Sequence, residues 1–140
     1  MHRQILATVA VFATALAVPL TVGSPAQAYG TRPASCNTAS LCFYNFIQFR
    51  ESDGVGKVTG SNPHLGVFSH ATCKDGTWNN CMSSVWNATS RCFHLHNGTD
   101  YTLGYHNLAP NDGYTDMGAQ TSLNNRVSSV RAGSTGNCNF

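Results

Sequence analysis

The sequence predicts an all-β domain made of two Greek-key motifs packed together as a sandwich and stapled by disulfides. The first observation behind this is an internal repeat. Asn79-Asn80-Cys81-Met82-Ser83-Ser84-Val85 returns 45 residues later as Asn124-Asn125-Arg126-Val127-Ser128-Ser129-Val130, with five of seven positions identical. The second is the pattern after residue 28, where short β-branched and aromatic runs alternate with turn signals and no apolar stripe holds helical spacing over three turns. The third is six cysteines, all in that same part of the chain. Two units of this length, each with four short strands, must bury their apolar faces against one another, because neither has enough surface alone.

The N-terminus reads as an export signal. His2 and Arg3 precede an apolar run from Ile5 to Val22, and Ala26-Gln27-Ala28 has the small-x-small form of a cleavage site. Residues 1–28 are expected to be removed, leaving Tyr29 first and one domain over 29–140, with halves at about 36–87 and 88–138. Pro19 interrupts the run and no basic stop-transfer cluster follows, which argues against a membrane anchor. Export makes disulfides the natural state of Cys36, Cys42, Cys73, Cys81, Cys92 and Cys138, and no C-x-x-C pair suggests zinc. Six cysteines allow fifteen connectivities. The expected one is Cys36–Cys42 and Cys73–Cys81, which close short loops, with Cys92–Cys138 left over.

Asp53-Gly54, Asp75-Gly76, Asn97-Gly98 and Asp112-Gly113 supply the positive φ of tight turns. The clearest hairpin is Cys92 to Leu103 around Asn97-Gly98. Strand alternation there puts Phe93 and Leu95 inward and leaves His94 and His96 outward and exposed. Loss of Arg3 leaves seven Lys and Arg against six Asp and Glu, so the domain is almost neutral. No basic stripe suits nucleic acid, no amphipathic helix suits a membrane, and the domain is expected to act as a monomer.

The paired Asn-Asn-x-x-Ser-Ser segments resemble the βγ-crystallin motif. With Cys36, Cys42-Phe43-Tyr44, Ser83-Ser84-Val85-Trp86-Asn87 and Asn124 to Arg131, the chain resembles the secreted actinobacterial metallopeptidase inhibitors built on a βγ-crystallin-like fold. It departs from the crystallin hairpin pattern. Tyr44 and Phe49 lead to Glu51 where glycine is expected, and His96 and Tyr101 take the aromatic places in the second half, with Gly104 one residue late.

The resemblance implies a secreted inhibitor of extracellular peptidases that needs no cofactor and works through a rigid substrate-like loop. Two loops fit. Gly60 to Thr72 offers Leu65, Val67 and Phe68, side chains a thermolysin-like pocket accepts; the loop between Cys73 and Cys81 offers Lys74 and Trp78. The resemblance also implies calcium at Asn80, Ser83, Asn125 and Ser128, although calcium prefers carboxylates among its ligands and these copies have none; hydrogen bonding to backbone explains the serines more simply. His94 and His96, with a third ligand such as His106, are a weaker metal candidate than a plain pair of strand histidines. Catalysis is not expected: H-E-x-x-H and G-x-S-x-G are missing, and Glu51 with Asp53 is better explained by a turn. The alternative function is a crystallin-like secreted binding or antimicrobial toxin module.

Overall fold

The computed structural model describes residues 30–140 apart from residue 38, so the export signal expected over residues 1–28 lies outside the described residues. Seven strands form two antiparallel sheets: β1 (Leu41–Tyr44), β2 (Gly56–Val58), β3 (Ser84–Asn87), β4 (Arg91–His96), β5 (Tyr105–Leu108), β6 (Asp112–Tyr114) and β7 (Ser129–Thr135). The four-stranded sheet has the order β2-β1-β3-β6 and the three-stranded sheet β5-β4-β7.

The halves exchange an element. β6 comes from the second half yet pairs with β3, placing Val85 opposite Tyr114. In return Asn62 forms a β-bridge with Val130 of β7; each amide donates to the other's carbonyl, at 2.8 and 2.9 Å. Each sheet thus contains a piece of the other motif, and the two Greek keys fold as one sandwich.

Strand alternation fills the interface. Leu41, Phe43, Val85, Phe93, Leu95, Leu108, Val127 and Val130 are buried in the main core, with Met82, Met117 and Leu123 between them. A second cluster of Cys36, Cys42, Tyr44, Phe49, Trp86 and Ala88 lies apart from it. There the Cys36–Cys42 disulfide covers the aromatic rings. Cys73–Cys81 and Cys92–Cys138 are the other two bridges, the first closing a short loop as its spacing suggests and the second joining the two cysteines left over.

The turn chemistry differs from expectation. Gly54 and Gly76 adopt φ of 88° and 67°, but Gly98 has φ −109° and Gly113 is not left-handed; it lies in β6, where a Cβ would meet the Trp86 ring at 2.4 Å. The β4–β5 hairpin does not turn at Asn97-Gly98. Its connection runs from Asn97 to Gly104, closed by the Asn97 amide donating to the Gly104 carbonyl at 3.0 Å. Its left-handed residues are Asp100, Tyr101 and Leu103, the first two matched in the first half by Gln48 and Phe49. Both hairpins fold back over their sheet, bringing Phe49 to 5.6 Å from Tyr44 and Tyr101 to 5.9 Å from His96, centroid to centroid.

Candidate functional site

The unrepeated stretch between β2 and β3 carries most of the expected contact residues, and the structure divides them. Leu65 is wholly buried, with its amide donating to the Ser128 carbonyl at 2.8 Å. Trp78 is only 5% exposed, edge-on to Phe43 at 4.9 Å and stacked on His70 at 4.1 Å. The expectation that Leu65 and Trp78 stand on an exposed surface is therefore corrected. A small domain has few large apolar groups for its core, and these two complete it.

Val67 is the exposed member, at 66%. His64 Nδ1 accepts from the Gly66 amide at 3.1 Å, and the Val67 and Phe68 amides donate to the His64 and Leu65 carbonyls, both at 3.2 Å. Together these form a one-turn helix with Val67 at its end. Phe68, partly buried against the core, then starts a hairpin: the Trp78 amide donates to its carbonyl, Ser69 bridges Thr77, and His70 donates to Gly76. Lys74 is exposed at the tip, beside buried Cys73 and its bridge to Cys81. Thr72 Oγ1 and Asn45 Nδ2 donate to Asp53 Oδ2 at 2.8 and 3.0 Å, tying the tip to the body. Asp53 is thereby a structural carboxylate, and Glu51 accepts from the Ser35 amide.

Next to this tip lies a polar cleft of about 510 Å³, lined among others by Lys74, Arg126, Asn45, Asn80 and Asn125. The four residues implied for calcium sit here in a reciprocal arrangement. Ser83 Oγ donates to Asn125 Oδ1 at 3.2 Å, and Ser128 Oγ donates to Asn80 Oδ1 at 3.0 Å. The backbone repeats the exchange, with the Asn80 amide on the Val127 carbonyl and the Asn125 amide on the Met82 carbonyl. An ion there would have to displace both serine bonds, with no carboxylate in the set to compensate. The second serine of each copy holds a hairpin. Ser84 Oγ donates to the Phe46 carbonyl and accepts from the Phe49 amide; Ser129 Oγ donates to Gly98 and accepts from Tyr101. Among the described residues no group of three or more His, Cys, Asp or Glu could hold a metal.

His94 and His96 do point away from Phe93 and Leu95, but they are 2% and 4% exposed, which corrects the expectation of solvent-facing histidines. Tyr105 and Phe140 sandwich His94 at 4.1 and 3.8 Å, and its Nε2 bonds the Cys138 carbonyl at 3.0 Å. The cover comes from residues distant in sequence, so strand alternation could not foresee it. Tyr44 occupies the corner matching His96; burial pushes its phenol above the usual range, Glu51 adds to this, and a hydrogen bond with Ser35 Oγ works against it.

The fold, with an element of each half paired into the sheet of the other, defines a βγ-crystallin-like domain. Solved structures with this architecture include one from work on the evolution of the eye-lens βγ-crystallin domain fold (18% identity, 75% of this chain and 91% of that one, TM-score 0.54). A βγ-crystallin from an archaeon (21%, 69% and 99%, TM-score 0.52) and one from Ciona intestinalis (17%, 67% and 99%, TM-score 0.53) are also similar. No curated protein sequence matches the chain significantly. The profile of peptidase inhibitor family I36 matches residues 30–109, and the chain belongs to that family. Its partner is accordingly a peptidase.

Proposed function

We propose that the mature domain is secreted and inhibits an extracellular metallopeptidase as a monomer, presenting the Val67–Phe68 turn to the active-site cleft with the Lys74 tip as a second contact. The observation that carries this reading is Val67, an exposed apolar side chain between two core anchors, Leu65 and Trp78, on a segment outside the repeat of an inhibitor-family domain. Repeated segments form the scaffold, and the unrepeated one is free to suit its target. A turn already fixed by the burial of Leu65 and Trp78 on either side loses little entropy on binding, and the Cys73–Cys81 bridge stiffens the hairpin that follows it. A standard complex buries about 1,600 Å², so tight binding needs one or two anchors seated in the cleft.

Titration of the secreted protein against metallo-, serine and cysteine peptidases tests this. Stoichiometric inhibition of a metallopeptidase, weakened by Val67→Ala and Phe68→Ala, is expected. Absence of inhibition across the panel would favour the crystallin-like binding or toxin module.

A further inference from the structure

His96 stands where the first half has Tyr44, beneath a folded hairpin, but it lacks the partner Tyr44 has. The Tyr44 hydroxyl bonds Ser35 Oγ at 2.9 Å, whereas both ring nitrogens of His96 are buried with no hydrogen-bond partner among the described residues. A titratable ring in that position is costly to charge, because the cation would have neither water nor an acceptor.

We propose that His96 is a proton-operated latch: taking up a proton in mildly acidic medium, it loosens the 97–104 hairpin and, through it, the 62–68 segment that carries Val67, so that inhibition weakens reversibly in acid. This rests on the inhibitory reading of that segment. The groups around the ring favour its neutral form. On its own strand lies His94, 5.9 Å away between centroids; β5 contributes Tyr105 at 5.2 Å, the hairpin Tyr101 at 5.9 Å, and β7 Arg131, paired opposite His94. None is a carboxylate, and Asp100 on the hairpin is exposed. Burial above all, then His94 and Arg131, hold the imidazole below its ordinary range, while the Thr102 and Leu103 carbonyls pull weakly the other way. Those carbonyls stand near the ring but out of hydrogen-bond geometry with either nitrogen, so a proton on His96 is satisfied only if the hairpin admits water or shifts them into line.

The hairpin is joined to the segment directly. The Asp100 amide donates to the Pro63 carbonyl at 2.8 Å, and Pro63 lies between Asn62, bridged to Val130, and His64, which caps the turn bearing Val67. On its other side the Tyr101 amide donates to Ser129 Oγ at 3.1 Å. Opening the hairpin removes both bonds.

The test is amide exchange by NMR on the secreted protein between about pH 7.5 and pH 5, beside inhibition constants over the same range. Protection factors of Asp100 and Tyr101 should fall about tenfold or more as the His96 ring titrates, with the inhibition constant rising in parallel. Both should be flat in His96→Phe. Should that variant fold poorly, the wild-type ring titration read against the two amides decides alone. Unchanged protection while His96 titrates, or the same pH dependence in His96→Phe, overturns the latch. Loosened amides with a pH-independent inhibition constant overturn its coupling to the segment. The exchange arm needs no peptidase, so a protein that inhibits nothing refutes the inhibitory reading without deciding the latch.

Discussion

Leu65 and Val67 are two residues apart and of similar chemistry, yet truncating them should damage different properties. Leu65→Ala removes a fully buried side chain from the main core, where large-to-small changes cost about 2–5 kcal/mol because the cavity collapses only in part. For a domain near 100 residues each kcal/mol shifts the midpoint by roughly 4 °C, so the melting temperature should fall by roughly 8–20 °C. Val67 is 66% exposed, and Val67→Ala should change stability by less than about 0.5 kcal/mol. Its effect belongs in the inhibition constant, which should rise about tenfold or more if the side chain is an anchor. Leu65→Ala, assayed well below its midpoint, should inhibit nearly as well as the parent once corrected for folded fraction. Calorimetry and tight-binding titration of both variants give the four numbers. If Val67→Ala unfolds like Leu65→Ala, or inhibits as well as the parent, the division between anchor and contact is wrong.

Ser129→Ala removes the acceptor for the Tyr101 amide and the donor to Gly98 inside a buried corner, and should cost about 1–3 kcal/mol by urea unfolding. His96 gives folding a pH dependence. Its folded-state affinity for protons lies below that of the unfolded chain, so its contribution is present above about pH 6.5 and is lost as pH falls from there; His96→Phe should flatten that slope in melts at several pH values. Replacing Cys73 and Cys81 together by Ser should lower stability by about 2–3 kcal/mol and weaken inhibition, whereas a loop that inhibits equally well without its bridge contradicts the preorganisation argument. Calcium should raise the melting temperature only at about 10⁻⁴ M or above, and saturation in the micromolar range would disprove the reading of the Asn-Ser pairs as satisfied by one another.

Much of the scaffold was legible because its determinants are local or repeated. The Asn-Asn-x-x-Ser-Ser copies announce two related units, and short-loop spacing points to Cys36–Cys42 and Cys73–Cys81, with Cys92–Cys138 following by elimination. The errors over exposure share one physical cause, which is cover supplied from elsewhere in the chain. Alternation correctly placed His94 and His96 on the face opposite Phe93 and Leu95, but cannot say that Tyr105 and Phe140 enclose that face. Leu65 and Trp78 lie in a stretch rich in Gly, Pro and polar residues, which reads as loop, yet the connection from β2 to β3 leaves its sheet to bridge β7 at Asn62 and returns, and its apolar side chains are recruited into the core. Asn97-Gly98 carried a strong two-residue turn signal. It lost to the folded hairpin, whose left-handed positions fall instead on Asp100 and Tyr101.

Those left-handed residues explain why the repeat survives in two such different halves. Gln48 and Phe49, like Asp100 and Tyr101, adopt a backbone conformation that costs a non-glycine residue of order 1 kcal/mol each. Their amides would be stranded at the fold-back. In each half one serine hydroxyl answers that need, accepting from the second left-handed residue and donating to a carbonyl earlier in the same hairpin. The preceding serine reaches across to the asparagine of the other copy. The motif is therefore spent on closing each hairpin and on locking the halves to one another, tasks that require Asn and Ser at fixed spacing with or without an ion. Along the connection from 60 to 78 the fixed points are Asn62 and Pro63, bonded to Val130 and Asp100, the buried side chains of Leu65 and Trp78, Thr72 held to Asp53, and Cys73 bridged to Cys81. The positions between those anchors, Val67 and Lys74 among them, are free to be shaped by a peptidase.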